Sequence, residues 1–159
     1  MTVTAEKTLN LTTKPETVQW PETHYVFIEK VGPIPANAPQ AWNAMHPLVP
    51  AIAKNNQVTA YMSLYDMDKR IYRAGVSIAA EPRELPEGVR HEKFAGGKYA
   101  KFVLTGPFAL LAPATGRACE LVKEQKLPVR AGFNIEHYVD DPRVTPEDEL
   151  RTEILFPVE

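Results

Sequence analysis

His24-Tyr25-Val26-Phe27-Ile28-Glu29-Lys30-Val31-Gly32-Pro33 returns 74 residues later as Lys98-Tyr99-Ala100-Lys101-Phe102-Val103-Leu104-Thr105-Gly106-Pro107. In both stretches a tyrosine precedes Gly-Pro by the same interval, and the residues between are apolar or β-branched, as in a strand closed by a turn. The same offset aligns Trp20 with Phe94, Ala38-Pro39 with Ala112-Pro113, Ala44 with Ala118 and Asp66 with Asp140. From 24 to 66 it needs no gap and gives seven identities in 43 positions. Identity is low, but the shared order of Tyr, Gly-Pro, Ala-Pro and Asp marks a duplication.

Working outward, each copy reads as strand, helix, strand, strand. A helix begins near Asn37 or Ala38, with Pro39 tolerated in its first turn, and Pro113 plays that part in the second copy. Pro47 and Pro50 each remove an intrahelical donor and are expected to kink or split the first helix. The second helix runs uninterrupted to about Lys126. Ala44, Met45 and Leu48 match Ala118, Cys119 and Val122 as helix-facing positions. Strands follow at Thr59 to Tyr65 and Phe133 to Val139, then at Ile71 to Ala80 and Arg151 to Val158. The turn before the last strand is the longer one, and Thr145-Pro146-Glu147-Asp148 predicts a short capped helix within it.

The expected fold is α+β. Two strand-helix-strand-strand modules, about 17–80 and 89–159, are related by a pseudo-twofold axis in one domain, with residues 1–16 as an N-terminal tail. They join into one antiparallel sheet, with both helices on one face and a ligand groove on the other.

Composition narrows the function. The 159 residues carry a net charge of −2 with scattered basic residues, which gives no electrostatic footprint for nucleic acid. The one cysteine, Cys119, excludes an internal disulfide and multi-thiolate zinc sites. His24, His46, His91 and His137 show no paired ligand spacing, so neither a metal nor another cofactor is expected. Val31 to Ala53 is free of formal charge but too rich in proline and polar residues for a lipid-facing helix. The expectation is a cytoplasmic protein that contacts neither membrane nor DNA. The 19 residues before the repeat are too few for a helix-turn-helix.

Glu136 stands out as a carboxylate in mid-strand, where Glu is disfavoured. With Met62 as its repeat partner, it is placed on the groove face beside Met62, Tyr138, Tyr25 and Tyr99. Trp42, packing on the sheet from the first helix, is a further ligand-contact candidate, while Tyr61, Ser63 and Tyr65 point to the other side. A carboxylate among aromatic rings suits a cationic aromatic ligand, through charge and cation–π contact. With a pKa raised by burial it also suits general acid–base work on water.

Gly96-Gly97-Lys98-Tyr99-Ala100 with Thr105-Gly106-Pro107, and Glu136-His137-Tyr138-Val139-Asp140-Asp141-Pro142-Arg143 followed by Thr145-Pro146-Glu147-Asp148-Glu149-Leu150-Arg151-Thr152-Glu153-Ile154, resemble the GyrI-like small-molecule-binding domains. These are also known as AraC- or Rob-type effector-binding domains. The resemblance spans residues 17–159 and implies a bacterial, stand-alone binder of multidrug type, with Glu136 in the pocket. It also leaves two alternatives. One is a hydrolase of strained cyclopropane-type electrophiles, with Glu136 and a tyrosine activating water. The other is a modulator of DNA gyrase acting through a protein partner.

Overall fold

A computed structural model describes residues 9–159. Nine strands form one antiparallel sheet: β1 (Asn10–Leu11), β2 (Glu16–Trp20), β3 (Thr23–Val31), β4 (Val58–Asp66), β5 (Ile71–Ile78), β6 (Arg90–Phe94), β7 (Gly97–Thr105), β8 (Asn134–Tyr138) and β9 (Arg151–Pro157). Their order is β1-β7-β9-β8-β4-β5-β3-β6, with β2 also on β7. Among the described residues the α-helices are α1 (Ile34–Met45), α2 (Val49–Asn55) and α3 (Leu111–Glu124).

The two Gly-Pro strands are β3 and β7, each in the middle of its half. α1 buries Ala41 and Met45, with Ile34, Ala38 and Trp42 packed beside them, which is the stripe of an amphipathic helix. α3 does the same with Ala114, Ala118, Leu121 and Val122. Pro47 and Pro50 split the first helix as expected: a single 3₁₀ turn, His46–Leu48, separates α1 from α2. The turn at 145–149 carries a 3₁₀ helix at Glu147–Glu149, but Pro146 occupies its N-cap and no side chain caps it.

The modules exchange their first strands. β2 belongs by sequence to the first half but pairs with β7 of the second, and β6 of the second pairs with β3 of the first. Each exchanged strand returns through two residues, Pro21-Glu22 or Ala95-Gly96. The two links pack on each other at Gly96, whose φ is +73° and whose added Cβ would lie 2.2 Å from the Trp20 carbonyl oxygen.

On the helix-free face Tyr25, Phe27, Met62, Leu64, Tyr99, Ile135 and Leu155 form a buried apolar layer, flanked by Val18, Trp20, Phe94 and Phe133. Arg73 closes one side of it. Its guanidinium lies between the rings of Phe27 and Phe133, 4.4 and 4.6 Å from their centroids, and pairs with Glu29 at 2.8 Å. The face expected to hold the groove is thus packed core.

Register explains why. One cross-strand row runs Ile28, Ala74, Ser63, Glu136, Ile154, Phe102. Ile28 and Phe102 are repeat equivalents, so Ala74 matches Ile154 and Ser63 matches Glu136. The true offset between β4 and β8 is therefore 73 residues, not 74. It is already 73 in the helices, where buried Ala41 and Met45 match Ala114 and Ala118, while Ala44 points to solvent. A one-residue slip in a strand moves every side chain to the opposite face. Met62 is accordingly not the partner of Glu136 and does not share its face.

Gly96→Ala strains a left-handed backbone and drives a methyl into the Trp20–Pro21 link. It is expected to cost about 2 kcal/mol or more, read as a lower urea midpoint with unchanged m-value.

Candidate functional site

The helix-bearing face is covered at both ends, by α1 and α2 over β3 and β5, and by α3 over β7 and β9. β4 and β8 lie between them, on the pseudo-twofold axis. Their helix-side residues are Tyr61, Ser63 and Tyr65 against Tyr138, Glu136 and Asn134, paired in that order. This cleft floor contains Glu136.

A chain of hydroxyls ends on that carboxylate. Tyr138 Oη donates to Glu136 Oε1 at 2.5 Å. Its only proton being committed, Tyr138 accepts from Ser63 Oγ at 2.8 Å. Ser63 in turn accepts from Tyr72 Oη at 2.6 Å. Trp42 closes the chain from α1, its indole N–H donating to Ser63 Oγ at 3.0 Å and Tyr72 Oη at 2.9 Å. The proton direction follows from the acceptor-only character of an ionised carboxylate.

Burial pushes the Glu136 pKa above the usual carboxylate range, and the Tyr138 hydrogen bond only partly offsets it. Among the described residues no basic side chain pairs with Glu136 and no hydrogen bond reaches its second oxygen. Burial and the Glu136 charge also raise the phenols of Tyr138, Tyr72 and Tyr65, so all three keep their protons. The Tyr65 hydroxyl and the Thr152 hydroxyl are buried without a partner in the structure.

Aromatic rings wall the cleft. Trp42 meets Tyr138 edge-on at 5.5 Å and stacks on Tyr61 at 6.4 Å, and Phe108 meets Tyr138 edge-on at 5.7 Å. The His46 ring lies 5.0 Å from that of Trp42, tilted by 35°. Two shallow concavities of about 210 and 200 Å³ lie elsewhere, near Asn55 to Gln57 and near Leu9 and Arg117. Around Glu136 the rings pack on one another.

Of the six residues singled out from sequence, the structure brings together Glu136, Tyr138 and Trp42. Tyr25, Tyr99 and Met62 lie on the opposite face, fully or almost fully buried. Tyr25 donates to the Met62 and Arg73 carbonyls, and Tyr99 to that of Phe133. They are structural tyrosines tying strands together. Ser63, Tyr72, Tyr61 and Phe108 were missed. Moving the offset by one residue would have found Ser63 and Tyr61, and Phe108 directly follows the second Gly-Pro.

The fold is thus a sheet of two strand-exchanged modules, with a carboxylate on its axis between the helices. The chain belongs to the GyrI-like small molecule binding domain family, whose model matches residues 13–159. Among solved structures it is similar to the EcmrR C-terminal domain, with TM-score 0.72 and 16% identity over 95% of this chain and 98% of that one. It is similar to SAV2435 bound to tetraphenylphosphonium, with TM-score 0.65 and 15% identity over 92% and 94%. A hydrolase from Listeria innocua gives TM-score 0.60 and 14% identity over 92% of each chain. No curated protein matches the sequence. Among the described residues no helix is long and apolar enough to cross a membrane.

A carboxyl with a raised folded-state pKa holds its proton in the native chain at a pH where the unfolded chain has lost it. Stability therefore falls as pH rises from the unfolded pKa through the folded one. Glu136→Gln keeps an acceptor for Tyr138 and removes the charge. The variant is expected to melt higher than wild type near neutral pH, with the difference vanishing near pH 4, in thermal scans across pH.

Proposed function

We propose that the protein captures an aromatic cation in the cleft between α1 and α3, with Glu136 as its counter-charge. The observation that supports this most is a carboxylate lacking a basic partner at the floor of an aromatic cleft. Its desolvation is only partly compensated in the free protein, by Tyr138, and a bound cation supplies the rest. Trp42, Tyr61, Tyr138 and Phe108 offer ring faces for stacking and cation–π contact. Because these rings fill the cleft, a ligand enters as Trp42 or Phe108 turns aside. The tetraphenylphosphonium bound to the similar SAV2435 is a cation of this kind.

Tetraphenylphosphonium is the first probe. Glu136→Gln is expected to weaken it roughly 10–100-fold in titration calorimetry, and Trp42→Ala about 10-fold. Equal affinity in wild type and Glu136→Gln would remove Glu136 from the site.

The hydroxyl chain favours a second reading. A carboxylate with a raised pKa, fed by Tyr138, Ser63 and Tyr72, suits removal of a proton from water. In a hydrolase of strained electrophiles, Glu136 takes that proton as the water oxygen bonds to the ring carbon. The ring bond breaks as that C–O bond forms, and the electron pair it leaves on the departing carbon takes up the proton from the Glu136 carboxyl, which is left ionised again. Incubation with cyclopropane-type electrophiles is expected to give ring-opened product carrying one added water. Turnover no faster than buffer, or equal in Glu136→Gln, would exclude this reading for those compounds.

A further inference from the structure

We propose that His24 and His91 form a site for one divalent transition-metal ion of the zinc, nickel or copper class, with water completing its coordination. The two residues are 67 positions apart in sequence, but β3 and β6 are neighbouring strands. His91 pairs with Val26 and His24 with Lys93, so the histidines sit diagonally on one face. His24 Nδ1 lies 3.1 Å from His91 Nε2, and the rings stack at 5.3 Å with 26° between their planes. Both are half-buried at the β6 edge of the sheet, His24 separated from β8 and Glu136 by β4 and β5, and His91 by β3 as well.

The spacing suits a shared ion. With metal–nitrogen bonds of about 2.0–2.1 Å, two ligands lie roughly 3.3–3.4 Å apart at a tetrahedral angle and about 2.9 Å apart at a right angle. The observed 3.1 Å falls between these values. In the free protein one ring must donate to the other, because two facing lone pairs repel. On metal binding the donor ring moves that proton to its other nitrogen, and both lone pairs turn to the ion. For neutral rings this is a tautomer change with no net loss of a proton.

The surroundings set the class and strength of the site. Among the described residues no third His, Cys, Asp or Glu joins the pair. The site has no carboxylate to favour magnesium or calcium. Lys93, cross-strand from His24, lies 3.8 Å from Glu22, which tempers its repulsion of an incoming cation.

The experiment uses the untagged full chain near neutral pH, titrated with zinc chloride and nickel chloride. One ion per chain is expected, and His24→Asn and His91→Asn each weaken binding about tenfold or more. Copper added to wild type is expected to show hyperfine coupling to two nitrogens in its electron paramagnetic resonance spectrum, a reading independent of how the variants fold. Absence of saturable binding at millimolar metal, equal binding by folded variants, or a copper spectrum without two nitrogens would overturn the proposal. So would half an ion per chain with a doubled mass on size exclusion, which would make the pair half of an intermolecular site.

Discussion

The antiparallel pairing of Ser63 with Glu136 governs the site. They are equivalent positions of the two modules and are also direct cross-strand partners. That coincidence occurs only on the axis relating the modules. Whatever the duplicated sequence places there appears twice, side by side. Two carboxylates would repel at cross-strand distance, and two apolar residues would leave no charge to use. One serine and one glutamate break the symmetry. Ser63 donates a hydrogen bond to Tyr138, Tyr138 donates one to Glu136, and Trp42 and Tyr72 supply the donors behind them.

The same axis divides the aromatic residues by task. Tyr25 and Tyr99 are equivalents on the helix-free face and spend their hydroxyls on main-chain carbonyls. Tyr65 and Tyr138 are equivalents on the helix face, but only Tyr138 reaches Glu136 in a hydrogen bond. The Tyr65 hydroxyl is left as a buried, unpartnered donor near the charge. An asymmetric ligand on a nearly symmetric floor would meet a different group on each side.

Much of the fold was legible in Tyr, Gly-Pro and Ala-Pro, because turn chemistry is local and survives duplication. The divided first helix was legible in Pro47 and Pro50 for the same reason. The orientation of the site was not. Pairing by sequence assumed a constant 74-residue offset, whereas between Gly-Pro and the helices the second copy is one residue shorter. In a structure of period two that error exchanges the faces, and it put Met62 where Ser63 belongs. β6 was invisible because Arg90 to Phe94 is mostly charged, as an edge strand tends to be. The nearness of His24 and His91 depends on that unseen strand, so no spacing rule would have paired them.

The exchange of β2 and β6 between modules has a kinetic consequence. Neither half completes its part of the sheet until the other has been made, because each lends its first strand to its neighbour. Glu16 meets Lys101 across 85 residues and Phe27 meets Arg90 across 63, so the entropy of closing those loops comes before the contacts that reward it. Folding is thereby tied to joint assembly of both modules rather than to one forming on the template of the other. The duplicated gene has become, in the folding reaction, a single unit.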